Sequence, residues 1–270
     1  MSRPLRPGAP APAPRAPRAA SAGTRQRADV LTLEQGLATS RAQAQALILA
    51  GQVWSGEERI DKPGSLLAAT TELRVVAPPR FVSRGGDKLD HALERFAESG
   101  LAVVGKICLD VGAATGGFTD CLLQRGAARV YAVDVGYGQL HARLRADPRV
   151  VVRERVNARS LRVADFADAI DLVVVDASFI SLGKLLDAIV AVLRPAGELV
   201  ALVKPQFEAG RKAVARGRGV IRDEQVRAAA IATARAAVCA AGFTVLAETD
   251  SPIRGPKGNL ERLVYARRAV

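Results

Sequence analysis

Side chains that cross-link a fold or hold a metal are scarce in this chain. Its three cysteines, Cys108, Cys121 and Cys239, are odd in number and widely spaced, and His91 and His141 are its only histidines. These numbers argue against a disulfide framework and against a zinc site, and no metal is expected. Aromatic residues make up 4% of the chain, so aliphatic side chains must fill the core. No apolar run approaches the ~20 residues needed to span a bilayer. The first residues carry Arg and Pro without an apolar stretch, so no secretory signal is expected. The expectation is a soluble protein of the reducing cytoplasm. What is present is ordinary globular material: 270 residues, 49% hydrophobic and 24% charged, enough for one large domain and a small one.

The net charge of +12 is unevenly spread. The first 28 residues hold six arginines and no acid, whereas residues 29–79 hold six acids and four bases. Residues 80–270, with 29 bases and 21 acids, carry a further excess of eight positive charges. A basic tail and a basic main body suit a polyanionic partner such as nucleic acid.

Residues 1–27, rich in Pro, Ala, Arg and Gly, bury too little apolar area to offset their ordering entropy and are expected to be disordered. Residues 28–77 read as a small module of two short helices followed by short strands. Ser40 is placed as the N-cap of a helix over Arg41–Ala50 that Gly51 ends, and Leu73–Val76 alternates as a strand. Residues 78–83, opening with Pro78-Pro79, read as a linker. From residue 84 to 270 strands alternate with helices. Asp87–Ala97 is an amphipathic helix. Strands are expected at Lys106–Val111, Arg129–Asp134, Val150–Val152, Ile170–Asp176, Glu198–Lys204, Phe243–Ala247 and Glu261–Ala266, with a long helix over Val226–Ala241. This alternation predicts an α/β fold with a doubly wound, mostly parallel sheet. Ligands of such sheets bind beyond the C-terminal strand ends.

The residues at those ends carry the chemistry. The first strand of the large domain runs into Asp110-Val-Gly-Ala-Ala-Thr-Gly-Gly-Phe-Thr-Asp120, where glycines let the backbone approach a ligand closely. The spacing is not the dinucleotide G-x-G-x-x-G. An acid, Asp110, closes the strand before the turn, which suits a ligand with a cationic amino-acid end. Asp134 ends the second strand, where an acid bonds ribose hydroxyls. Together they point to S-adenosylmethionine, against the plainer reading of a tight turn. Asp176 and Lys204 end two further strands, and Glu261 opens the last, which is expected to run antiparallel and so to start at the same edge. Charged residues there are either a site or a structural ion pair.

The motifs Ser83–Leu89, Asp110–Asp120, Asp134–Leu140, Asp176–Leu182, Val203–Glu208 and Gly255–Glu261 together resemble the TlyA family. These are ribosomal RNA 2′-O-methyltransferases, also filed as hemolysin A, with a catalytic domain similar to FtsJ/RrmJ enzymes. The resemblance covers about residues 28–268. It implies a Rossmann-like class I methyltransferase domain, preceded by a small α+β RNA-binding domain of ribosomal protein S-four type. It places a Lys-Asp-Lys-Glu tetrad on Lys88, Asp176, Lys204 and Glu261. Cofactor contacts fall on Asp110, Gly112, Ala114, Gly116, Gly117, Phe118, Asp134, Val135, Asn157 and Asp176. The implied cofactor is S-adenosyl-L-methionine, and the implied partner is ribosomal RNA or a ribosomal subunit, methylated on a cytidine, with no membrane involved.

For such chemistry a ribose 2′-OH must lose its proton as it attacks in line. Lys204 serves as base only when neutral; burial and Lys88 favour that form, while Asp176 and Glu261 favour the charged one. The acid-free segment Gly210–Gly219 carries Arg211, Lys212, Arg216 and Arg218, which are read as phosphate contacts along with Arg41 and Arg84; the alternative is a solvated surface loop. Three rival functions are open to such a chain. Against a membrane-active hemolysin, the chain has no spanning segment; against a non-catalytic RNA-binding or assembly factor, all four tetrad positions are occupied. A small-molecule methyltransferase has no need of the first module.

Overall fold

The structure, a computed structural model, describes residues 24–77, 79–210 and 217–269. The chain falls into two compact units that divide between residues 78 and 79. The expected tail over residues 1–23, and Arg211, Lys212 and Arg216, lie outside the described residues.

The small unit runs β1 (Arg25–Arg27), α1 (Ala28–Glu34), α2 (Arg41–Leu49), β2 (Val53–Ser55), β3 (Glu58–Arg59), β4 (Leu66–Ala68) and β5 (Arg74–Val75). Ser40 caps α2 as expected, its Oγ accepting from the Gln43 amide at 3.2 Å. Ala28, Leu31, Ile48, Val53, Ile60 and Leu73 form the core. The reading of residues 1–27 as disordered needs correction at its end. Arg25–Arg27 are a strand, paired antiparallel with β4. A strand held by backbone hydrogen bonds needs no apolar alternation, and Arg-Gln-Arg has none. Asp29 is fully buried just after it. It accepts from Arg27 Nε at 3.0 Å, Arg41 Nε at 3.0 Å and Gln45 Nε2 at 2.8 Å. The hydrogen bond from Arg27 leads in holding its carboxyl well below the usual range.

The large unit is a seven-stranded sheet between helices. Its elements are α3 (Arg84–Phe96), β6 (Ile107–Val111), α4 (Gly117–Gln124), β7 (Arg129–Val133), α5 (Ala142–Arg145), β8 (Val150–Arg153), β9 (Ile170–Val175), α6 (Leu186–Val192), β10 (Leu193–Val203), α7 (Pro205–Glu208), α8 (Glu224–Ala240), β11 (Phe243–Asp250) and β12 (Arg262–Arg268). The strand order is β11-β12-β10-β9-β6-β7-β8. The five strands from β10 to β8 are parallel, and β12 runs antiparallel between β10 and β11. This is the expected doubly wound sheet with its antiparallel last strand.

The strands read as continuous apolar runs because both faces are covered. Cys108, Leu172, Val174, Val200 and Leu202 face the α3 and α4 side with Leu89, Phe96 and Leu122. Their neighbours Leu109, Val173, Val175, Leu199 and Ala201 face Ile189, Ile231 and Val238 on the other. The strand period of two thus divides one run of residues between two cores.

Residues 79–83 do not behave as the expected linker. Phe81 is buried in the core beside α3, and the Val82 amide donates to Asp120 Oδ2 at 2.9 Å. Gly86 makes the room: a Cβ there would lie 2.2 Å from the Phe81 ring. Strand β10 also starts five residues earlier than expected, through an irregular register between Leu193 and Glu198.

Candidate active site

Strand β6 pairs with β7 on one side and β9 on the other, so the chain leaves β6 at the point where the sheet order reverses. A crevice opens there by topology. A cleft of about 1030 Å³ occupies it.

Four elements deliver the tetrad to this cleft. Lys88 comes from the second turn of α3, Asp176 directly follows β9, Lys204 directly follows β10 and Glu261 directly precedes β12. The register of β10 on β12 pairs Val203 with Arg262, which puts Lys204 and Glu261 at one level of the sheet edge. All four line the cleft, and they form two ion pairs. Lys88 Nζ lies 2.5 Å from Glu261 Oε2, the side chains being 9% and 1% exposed. Lys204 Nζ lies 2.7 Å from Asp176 Oδ1. It also donates to Ser178 Oγ at 2.9 Å and to the Asp176 carbonyl at 3.3 Å. Three acceptors thus aim one amine.

The glycine-rich turn lies alongside. Gly112 has φ +88°, and a Cβ there would stand 2.9 Å from the Asp176 carbonyl oxygen. Only glycine lets the β6 turn pass this close to the end of β9. Gly112, Ala114, Gly117, Phe118 and Asp176 line the cleft. Gly116 is buried instead against Leu140 and Leu144. Asp110 lies fully buried. Its Oδ2 accepts from Thr119 Oγ1 at 2.7 Å, and its Oδ1 has no hydrogen bond. Burial pushes this carboxyl up to about 7; the Thr119 bond opposes the rise, and Asp176 and Asp134 add to it. A buried carboxyl with a spare oxygen suits a cationic ligand group, whose charge would repay its desolvation.

Asp134, Val135 and Asn157 are not among the residues lining the cleft. Asp134 accepts from the Ala114 amide at 2.9 Å and the Gly136 amide at 2.7 Å, so it braces the turn. Val135 is 71% exposed. Asn157 caps a short 3-10 turn, accepting from the Arg159 amide at 3.1 Å. The backbone joins them, for the Val156 amide donates to the Asp134 carbonyl at 3.0 Å. Among the expected phosphate contacts, Arg84 is exposed on the cleft wall and Arg218 is exposed beyond it. Arg41 has an internal partner in Asp29.

Several lining residues were missed from the sequence. Lys184 and Lys257 are exposed there, and neither has an ion pair among the described residues. Phe179 is 92% exposed and sits at φ +65°, a left-handed conformation that disfavours an aromatic residue. Its ring lies 5.3 Å from that of Phe207. Strain and exposure together set it apart from the packed residues around it. Its position three residues past a strand-end acid was the available signal.

A lysine aimed by three acceptors, a buried acid with one oxygen unbonded and a glycine turn thus meet at the switch point of a doubly wound sheet, where such folds bind their ligands. The family model for FtsJ-like methyltransferase matches residues 81–268, and that for the S4 domain matches residues 26–73. The 16S/23S rRNA (cytidine-2′-O)-methyltransferase TlyA of Mycobacterium tuberculosis is 47% identical, over 90% of this chain and 90% of its own. Hemolysin A of Brachyspira hyodysenteriae is 43% identical, over 88% and 98%. A solved structure from Streptococcus thermophilus, described as a candidate hemolysin, has a TM-score of 0.68 at 42% identity, covering 91% of this chain and 89% of that one. The chain belongs to the TlyA family of FtsJ-like methyltransferases.

Proposed function

We propose that this chain transfers the methyl group of S-adenosylmethionine to the ribose 2′-OH of a cytidine in ribosomal RNA. The observation that carries the reading is the meeting of Lys88, Asp176, Lys204 and Glu261 in one cleft, beside a buried Asp110 that lacks a partner for one oxygen. When bound, the cofactor supplies a methyl group on a positively charged sulfur. Asp110 would answer the cofactor's ammonium, and the backbone at Gly112, Gly116 and Gly117 leaves it room. Phe118 would pack against it, and Asp134, whose lone pairs are not all used, would take ribose hydroxyls with Val135 and Asn157 alongside.

The protein's own residues handle the acceptor. Lys204, in its neutral form, takes the 2′-OH proton, while Asp176 and Ser178 hold its Nζ on line. Lys88, braced by Glu261, brings a second amine that orients the hydroxyl oxygen. General-base help contributes ~10²–10⁴-fold, and fixing the hydroxyl on the transfer axis adds more. Exposed Arg84, Lys184, Arg218 and Lys257 attract the phosphates of the substrate strand, with Arg211, Lys212 and Arg216 assigned to the same task from sequence. The small unit adds RNA affinity. Among the described residues no helix is long and apolar enough to cross a membrane, and the cytidine rests on the name of the tuberculosis relative.

The test is incubation of the purified chain with labelled S-adenosylmethionine and with undermodified ribosomes, separated subunits or free ribosomal RNA, followed by mapping. The expected product is a 2′-O-methylated cytidine at a discrete position. Label on a base, or none in any RNA while S-adenosylmethionine binds, would reject the reading.

A further inference from the structure

We infer that Gln206 reads the base of the nucleotide being methylated, its Oε1 accepting a hydrogen bond from the exocyclic amine of that base. The inference rests on the RNA methyltransferase reading above.

Three buried side-chain oxygens among the described residues lack a hydrogen bond: Asp110 Oδ1, Asp176 Oδ1 and Gln206 Oε1. Native proteins leave few such atoms, and each calls for an explanation. Asp176 Oδ1 is paired by charge with Lys204 Nζ, 2.7 Å away. Asp110 is the acid proposed to face the cofactor's cation. Gln206 has neither a charge partner nor a donor, yet it lines the same cleft two residues beyond Lys204, in the short helix α7.

The chemistry of the group narrows its ligand. A carboxamide does not titrate, so it neither takes the hydroxyl proton nor attracts phosphate by charge. It offers one acceptor and two donors on a planar group, which is the complement of a nucleobase edge. The surroundings supply the rest of a base pocket. The next residue, Phe207, backs the exposed ring of Phe179. A base stacked on Phe179 and read along its edge by Gln206 is how unpaired nucleotides are recognised. Cytosine presents N4–H₂ as a donor, whereas uracil presents O4, an acceptor, at the same place. With the amide oriented as it is here, Oε1 accepts from cytosine N4 and would face uracil O4 oxygen to oxygen.

The experiment uses the full chain with ribosomes that carry either cytidine or uridine at the mapped position. It compares wild type with Gln206→Leu, which removes the acceptor, and Gln206→Glu, which keeps one. Wild type is expected to prefer cytidine by about tenfold or more in kcat/KM, the scale of one good edge contact. Gln206→Leu should lose about tenfold on cytidine, erase the preference and bind S-adenosylmethionine as wild type does. Gln206→Glu should retain the preference. Equal use of cytidine and uridine by wild type overturns the inference while leaving the proposed function intact. So does a Gln206→Leu variant that keeps both rate and preference, or one that loses cofactor affinity. A wild type that methylates no RNA rejects the proposed function itself.

Discussion

The two edges of the seven-stranded sheet bury charge to a similar depth and treat it in opposite ways. At the N-terminal edge of the parallel strands, Glu198 is buried, yet Lys106, Arg267 and the Tyr265 hydroxyl all bond it, the last at 2.6 Å. Burial alone would raise its carboxyl, but these three partners, led by Lys106, hold it below the usual value. At the C-terminal edge, Asp110 has one hydroxyl for two oxygens and rises to about 7. Two buried oxygens among the described residues, Asp110 Oδ1 and Gln206 Oε1, have neither a hydrogen bond nor an ion-pair partner, and both lie in or beside the cleft at that edge. The charge of Glu198 is answered inside the protein, whereas one oxygen of Asp110 is left without an internal donor, as a bound cation would require.

The sharpest way to probe this contrast is at Lys204, the charge aimed into the cleft. Lys204→Ala should lower methylation of RNA by ~10²-fold or more, with near-native cofactor affinity in a chain that still folds. Lys204→Arg keeps the positive charge but has no neutral form near pH 7. Wild-type turnover in the arginine variant would make Lys204 a positioning cation and remove it as the base.

Asp110→Asn comes next. It should weaken S-adenosylmethionine binding by roughly 10- to 100-fold, the worth of a hydrogen bond to a charged group. It should leave stability equal or higher, because a desolvated carboxyl is gone. Calorimetry for binding and thermal unfolding for stability would separate the two. A large loss of stability with intact binding would reverse the distinction between the edges.

Glu198→Gln is the mirror experiment. It strips the charge that answers Lys106 and Arg267 and should cost about 1–3 kcal/mol in urea unfolding, less than a fully buried pair because Lys106 is partly exposed. Methylation per folded molecule should not change. An active-site defect in this variant would break the comparison.

The effect spread most gradually is one of pH. Unliganded Asp110 keeps a proton up to about pH 7, whereas the unfolded chain loses it near the ordinary aspartate value. Its contribution to stability is therefore full at low pH and is lost as pH rises through 7. Cofactor binding has the opposite sign. A bound ammonium needs the carboxylate, so binding expels a proton, and affinity should climb up to about tenfold per unit from pH 5.5 and level off above 7. Titrations in two buffers of different ionisation heat would show the proton released. An affinity independent of pH over this range would mean that Asp110 is already ionised.

The architecture was legible because it is written in local patterns. Strands buried on both faces announce themselves as unbroken runs such as Leu172–Val175, and six of the seven expected strands start within one residue of the observed bounds. Acids and a lysine stopping those runs, at Asp110, Asp176 and Lys204, marked the sheet edge from sequence alone. Elements without an apolar signal were lost: β1 is held by backbone pairing, and the segment before α3 is anchored by one phenylalanine that only Gly86 admits.

The sequence by itself determined the two-unit order, the α/β sheet and which charged residues stop its strands, because strand period and burial are properties of neighbours along the chain. Only the tertiary structure decided how those charges are partnered. Lys88 and Glu261 stand 173 positions apart and meet only after β12 inserts beside β10. Glu198 has three partners because Lys106 before β6 and Tyr265 and Arg267 on β12 converge on it at one edge, while Asp110 has one and Gln206 Oε1 none because of how α4, the strand ends and α7 pack at the other. Hydrogen-bond satisfaction is a property of three-dimensional neighbours, and no spacing along the chain encodes it.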